Sequence, residues 1–532
     1  MKYLVLLALS ICCFAQADGP ATLPRSVPSL VAVSPNPPTL VPATASLQVA
    51  FNAAQCGDVL SVDPASAQVA VSLVPAQPCD AGHWITVQSS TAINLDPATG
   101  RVVPGQQLPK IIISQQNGRV TLGSFVALIG FEITRPAGTG IVYDLVLPAP
   151  GAHDIILNYV YCHGTPGDET NRCISTSGAT RLAITNSVMT DIHCMALMGA
   201  CGDSQGIAGG TTSGNDEGVF AILNNYIEAS TQCMIFGGGG ATVVPHDITI
   251  MGNECVKPLS WNPSDPSYKP VIGHDGLPHP WVVKNCMELK NAAYVLISGN
   301  VCENGWGGFT QIGYAILLTA KSQAGAGGSV CPICSVHDVT VRDSIIRHWG
   351  LAIQAGFGPN TLGGWAAGEY NLSVHDLSFE DMNYPTCYQC GHWLFQISSG
   401  QSTTGAVGHD WNFRNITVSV PVWHGPNGAT DGRGHGLLTL GGPLAPNQMQ
   451  NINFNNIVSP AGNAPFLSTG GGATNCAYPI QADYSKLLSL CWGGTSSFSG
   501  AILTNGQKFP AKVAWPAGTT FVSAGADASV LP

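Results

Sequence analysis

Apolar and polar residues alternate in short bursts along most of this chain, and nine of the bursts share one pattern. They begin at Asp154 (DIILNY), Leu182 (LAITNS), Phe220 (FAILNN), Asp247 (DITIMG), Tyr294 (YVLISG), Asp338 (DVTVRD), Asp376 (DLSFED), Asp410 (DWNFRN) and Asn451 (NINFNN). In each, two apolar residues stand two apart, as Ile248 and Ile250 do, and in all but the first an Asn, Asp or Gly follows two places later. That spacing puts the apolar pair on one face of a strand, and Asn, Asp or Gly tolerates the left-handed backbone of a sharp bend. Each unit therefore reads as a short strand and a corner.

From Ile155 to Ile452 the first apolar positions lie 27 to 47 residues apart. The shortest intervals suit one three-sided coil of a parallel β-helix, and the longer ones imply loops inserted between its faces. Fainter copies at Trp84 (WITVQS) and Lys110 (KIIISQ) extend the solenoid to about eleven or twelve coils over residues 45–505. Leu47 to Ala54 has helical apolar spacing, so a short amphipathic helix is expected to cover the open edge of the first coil. Residues 18–44 are rich in Pro and read as an extended, poorly ordered lead-in, and residues 506–532 as a tail or cap.

His-Asp precedes the apolar residue of five units, at Asp154, Asp247, Asp338, Asp376 and Asp410. This places the pairs at the same corner of successive coils, with carboxylates that accept turn amides. His337, His375 and His409 fall on consecutive units and are expected to stack ~4.8 Å apart, a column that also leaves room for a cation.

Composition agrees with an all-β chain: 63 Gly and 37 Pro, with only 10% charged residues. The 31 acidic residues against 20 basic ones exclude a nucleic-acid partner held by bulk charge. Met1, Lys2 and Tyr3, an apolar run and AQA at Ala15 to Ala17 read as a secretory signal peptide, residues 1–17, cut before Asp18. The alternative, a lipidated Cys12, has bulky Ile11 where such sites want a small residue. No later apolar stretch is long enough for an integral membrane segment, so the expected location is extracellular or periplasmic. Outside the signal region 16 of the 18 cysteines remain, an even number for which disulfides are the default. CPIC (Cys331 to Cys334) and CYQC (Cys387 to Cys390) pair as disulfides or, less in keeping with their wide separation, share a four-thiolate zinc site.

The chain resembles the right-handed parallel β-helix proteins of the pectate-lyase-like superfamily over roughly Ala45 to Asn505. NNYIEASTQCMIFGGG from Asn224, KPLSW from Lys257, WVVKNCMELKNA from Trp281 and GNVCENGW from Gly299 are similar to segments of a mostly uncharacterised group of secreted bacterial members. The resemblance implies a groove on one face that cleaves or binds acidic polysaccharide. Lyases of the superfamily use Lys or Arg as base, often with calcium held by carboxylates, and its hydrolases use clustered Asp. No calcium motif is evident here, so no metal site is assigned. GRGHG at Gly432 to Gly436 resembles the glycine-flanked His of polygalacturonases, but the accompanying motifs are missing, and it reads as a Gly-rich loop.

Ionisable residues concentrate in VVKNCMELKN. On a regular strand Val283, Asn285, Met287 and Leu289 would point inward, and Lys284, Cys286, Glu288 and Lys290 would share the outer face. Lys284, Glu288 and Lys290 are thus the candidate catalytic set: one lysine as base beside a uronate carboxyl group, the other neutralising that group, with Glu288 orienting them. The plain reading is an exposed ion-pair ladder between coils. Trp261, Trp281 and Trp306, with Lys257 and the Pro-rich insertion that follows it, are candidate substrate contacts. Exposed rings would stack on sugars, and buried rings would only support loops. Glu228 and Glu303 would add carboxylates to the groove, and a suitable pair would permit hydrolysis instead of elimination. The leading expectation is a lyase acting on an extracellular uronate-containing glycan. The alternatives are a non-catalytic glycan-binding or adhesion protein and a glycoside hydrolase.

Overall fold

The computed structural model describes residues 18–195, 201–273, 275–308, 312–324, 328, 330–360, 362–391, 393–399, 408–421, 436–440, 449–460, 466–468, 492–493, 495–500, 502–504 and 520–522. The signal segment, most of GRGHG, and Cys476 and Cys491 lie outside these residues. The chain winds as a parallel β-helix. Among the described residues a first sheet of 26 strands forms two faces that meet at a bend, and a second sheet of 12 strands closes the third.

The repeats fold as their spacing dictates. Ile155, Leu182, Phe220, Ile248, Val295, Val339, Leu372, Trp411 and Ile452 are register partners in successive coils and stack as one buried row. Each such side chain withdraws apolar area worth about 1.5–3 kcal/mol. Each of these nine coils then makes two left-handed residues five positions apart. The first corner holds Asp154, Arg181, Val219, Asp247, Tyr294, Asp338, Asn371, Asp410 and Asn451, with φ between +52° and +58°. The second holds Tyr159, Asn186, Asn224, Gly252, Gly299, Asp343, Asp376, Asn415 and Asn456, with φ between +50° and +65°.

One repeat is corrected by this register. Val339 pairs with Leu372 and Arg342 with His375, so the unit begins at Asn371, and His375-Asp376 occupies the second corner. The five His-Asp pairs therefore do not share one corner, and no histidine column forms. His337 instead stacks on Tyr370 at 4.7 Å, and Tyr370 on His409 at 5.3 Å. In all five pairs His Nδ1 lies 2.6–2.9 Å from the carboxylate of its own Asp, which stiffens the turn.

The cap is as expected. Ser46 caps a helix at Leu47–Ala53 that buries Leu47 and Phe51 against the first coil. Gln48 also satisfies the open edge of the second sheet, donating to Ser72 O at 2.8 Å and accepting from Ser72 N at 2.7 Å. The lead-in differs from the expectation: it is an ordered strap. Pro38–Val41 is the first strand of the first sheet, paired with Val59–Val62. Upstream, Trp84 N donates to Val33 O, Arg25 Nη2 to Asp247 Oδ2 at 2.7 Å, and Thr22 N to Asp338 Oδ1 at 2.9 Å. Asp18 is buried between Arg342 and His375. The strap runs over an outward row that is mostly small or short: Ala127, Ala183, Ala221, Thr249, Thr340 and Ser373, interrupted by Ile156 and Leu296, and Ala32 packs against its apolar members. Proline pre-extends the strap, which lowers the entropy lost on docking.

Six disulfides form among the described residues, including Cys331–Cys334 and Cys387–Cys390, each closed on itself. The shared zinc site is thereby overturned. At the far end Thr520–Val522 pairs with Ile502–Thr504, so strand pairing continues beyond residue 505.

Candidate functional site

Several long insertions leave the coil at one corner, between the second face of the first sheet and the second sheet. Met195, Trp261, Trp281, Val283, Trp306, Tyr384, Cys387 and Cys390, from four such insertions, meet there in a separate apolar cluster. Trp261, Trp281 and Trp306 are its centre and are 6%, 2% and 1% exposed, so they are the foundation of the loop wall and present no ring to a sugar. Trp281 stacks on buried His193 with ring centres 3.6 Å apart. Lys257 is also buried; its ammonium donates to the carbonyls of Ala229 and Ser230 and ties the root of the insertion to the coil below. Burial lowers its pKa to about 8.

Beside this wall lies the outer face of the second sheet. The strand Met287–Leu289 sends Met287 and Leu289 into the core and Glu288 outward, level with Ile235 and Leu317 of its neighbours. Cys286 was expected on the same outer face but points inward and bonds Cys302. The cause is a bulge: the amides of Cys233 and Met234 both reach Cys286 O, at 3.0 and 3.2 Å, which breaks the alternation before Met287.

Lys284 precedes the bulge, yet the fold returns it to the cluster through a partner with no signal in the sequence. Its ammonium lies 2.6 Å from Asp203, which is 81 residues away and at the entrance of the strand Gln205–Gly209. Glu288 is 2.6 Å from the Lys290 ammonium and accepts from Asn285 at 2.7 Å and Gln232 at 2.9 Å. Gln205 in turn donates to Gln232 at 3.2 Å, so amides and carboxylate form a ladder across three coils.

Burial pushes the Glu288 carboxyl up, but the Lys290 charge and the three hydrogen bonds outweigh it and hold Glu288 below its ordinary range. Burial lowers Lys290, and Glu288, helped by Asp203, raises it further than burial lowers it. Lys290 is thus a permanent cation and not a base. Exposure separates the carboxylates: the Asp203 side chain is 36% exposed and that of Glu288 2%.

One coil further, Ile312, Tyr314, Leu317, Leu351, Gln354, Trp393 and Gln396 line a pocket of about 220 Å³. Trp393 Nε1 donates to Tyr314 O–H at 2.7 Å, and Tyr314 bonds Gln396. Half-buried Trp393 is the aromatic beside the cluster that sequence reasoning missed; the alternation in HWLFQIS was its one signal.

Glu228 and Glu303 are not brought to this face. Both project from the second face of the first sheet, across the loop wall from Lys284. Glu228 accepts from Tyr226 O–H at 2.7 Å, and burial raises its pKa.

No protein-family profile matches the chain, and no curated protein matches it. Among solved structures it is similar to the family 28 exopolygalacturonase of Yersinia enterocolitica, with 9% identity and a TM-score of 0.37 over 89% of this chain and 79% of that one. A likeness at that level says nothing of substrate or catalytic residues.

Proposed function

We propose that the outer face of the second sheet is the groove of an exported polysaccharide-active protein that takes a uronate-containing glycan and cleaves it by β-elimination. The observation that carries this reading is the quartet Lys284, Asp203, Lys290 and Glu288 at the floor of a loop-walled face, next to a pocket lined by Trp393, Tyr314 and two glutamines. Lys290, held protonated by Glu288, neutralises the substrate carboxylate and so acidifies the adjacent C–H. Lys284 is the base, because its partner Asp203 is the exposed carboxylate and can yield it when the glycan enters. Asn285 and Gln232 hold Glu288 in place, and Trp393 offers an apolar flat surface to a sugar ring. Six disulfides suit an oxidising compartment, and no helix among the described residues is long and apolar enough to cross a membrane.

A second reading is supported by the resting ion pairs: with both ammonium groups already matched to carboxylates, the face suits binding of an acidic glycan without turnover. One assay separates the two. The mature protein is incubated with uronate and neutral glycans while ultraviolet absorbance of unsaturated ends and new reducing ends are followed. Elimination predicts unsaturated product that falls about 10²–10⁴-fold in Lys284→Ala with binding largely kept. Binding with silence in both channels establishes the second reading, and reducing ends without absorbance would point to hydrolysis.

A further inference from the structure

Two interior rows of the helix carry cysteine again and again. One row runs Cys162, Met189, Ile227, Cys255, Cys302 through consecutive coils of the first sheet. The facing row on the second sheet contains Cys173, Gly206, Cys233 and Cys286, whose neighbours Ile174, Ile207, Met234 and Met287 are register partners. Cys162–Cys173 and Cys286–Cys302 are disulfides that join these rows. Between them stand Cys233 and Cys255, both buried in the main core. The sulfurs of Cys233, Cys255 and Cys286 all lie within 4.8 Å of one another.

We propose that Cys233 and Cys255 form a further disulfide, stacked one coil below Cys286–Cys302. Three observations converge on it. Parallel stacking repeats the width of the core from coil to coil, and Cys286 and Cys302 show that this width, with Cα atoms 6.3 Å apart, accepts a bridge. Cys233 and Cys286 are joined through the Cys233 amide, and Cys255 and Cys302 are register partners, so the lower pair reproduces the upper. The Cys233 sulfur interacts directly with that of Cys255, and its contact to Ile227 O is weak, at 3.8 Å. In forming the bond each cysteine loses its S–H proton to water. The two electrons pass to the disulfide of a thiol–disulfide exchange donor of the oxidising compartment, which takes up two protons from water and leaves as a dithiol. Because both cysteines are buried and no oxidant reaches them in the folded chain, the bond closes during folding, before the coil is sealed.

The two bridges would lie directly under the acidic end of the charged quartet. Gln232 precedes Cys233 and Asn285 precedes Cys286, and both amides hold Glu288. The inference is nonetheless independent of what the groove binds.

The test is peptide mapping of the full-length exported protein, purified without reductant, denatured in N-ethylmaleimide and digested unreduced. A linked peptide joining Cys233 to Cys255, beside one joining Cys286 to Cys302, is expected. Maleimide on both Cys233 and Cys255, or a link from either to any other cysteine, overturns the proposal. In Cys255→Ser, Cys233 should become alkylated in full on denaturation; a Cys233 that stays bridged also overturns it. Cys233→Ala with Cys255→Ala should lower Tm by a few degrees and leave the Cys286–Cys302 peptide intact.

Discussion

Glu288 shows how a single side chain changes meaning between sequence and fold. The alternation of MEL placed it outward, and outward it is, but the loop wall and the neighbouring Gln232 and Asn285 leave it 2% exposed. An exposed ladder would make its loss almost neutral, whereas a buried pair does not. Glu288→Gln leaves the Lys290 ammonium without its counter-charge and is expected to cost about 3–5 kcal/mol, measured by denaturant unfolding. A loss under about 1 kcal/mol would return the pair to the exposed class. At the same scale Lys257 and the three tryptophans, read from sequence as groove contacts, turn out to be internal supports. Residue type announced a cluster there but could not say which side of the loop wall it faced.

The strap is the element that sequence reasoning misjudged. Its prolines and lack of alternation signal an absence of strand or helix, which holds for residues 18–37 but not for the strand Pro38–Val41, and they do not signal an absence of order. What orders it is distant: Asp247, Asp338, Arg342 and His375 lie more than two hundred residues away. The receiving surface was nonetheless written in the repeats as Ala127, Ala183 and Ala221, small residues that with Ile156 make the outer row against which Ala32 packs. Ala183→Leu fills the strap's path without touching the core. It is expected to speed protease cleavage within residues 18–33 at least tenfold while circular dichroism of the helix is unchanged. Unaltered cleavage would mean that the strap is held by its ends alone. The same limit applies to Asp203, which joins Lys284 through a contact 81 residues away.

Across the whole molecule, charge is spent at a few buried positions, and they set opposite pH responses. Burial pushes Glu369 up to about 8, despite amide donors at Ala320 and Gly356. Its carboxyl is therefore protonated in the folded chain where the unfolded chain, near 4.5, has lost its proton. The stability from this group is complete below about 4.5 and is lost as pH rises towards 8. The corner carboxylates Asp154, Asp247, Asp338 and Asp376 act in reverse. Burial raises each, but hydrogen bonds from His, Arg25, Arg181 or Asn overcome it and hold them below 3.8, so their contribution is lost as pH falls below that value. Thermal unfolding of Glu369→Gln against the native chain is expected to show a Tm difference that shifts in the variant's favour from pH 5 to pH 8. A difference that does not move with pH would show that Glu369 carries no proton in the folded state.

By itself the sequence determined the solenoid, because stacking in a β-helix is local: an apolar pair two apart and a left-handed residue after it specify one coil whatever the other coils do. It also determined the cap helix and the concentration of charge near Lys284 and Lys290. Only the tertiary structure decided the register that moved His375-Asp376 to the second corner, the bulge that turned Cys286 inward, the ordered strap, and the separation of Glu228 and Glu303 from the lysines. Those outcomes rest on contacts between coils and between loops of unequal length, and inter-coil distance is not encoded in the spacing of residues along one strand.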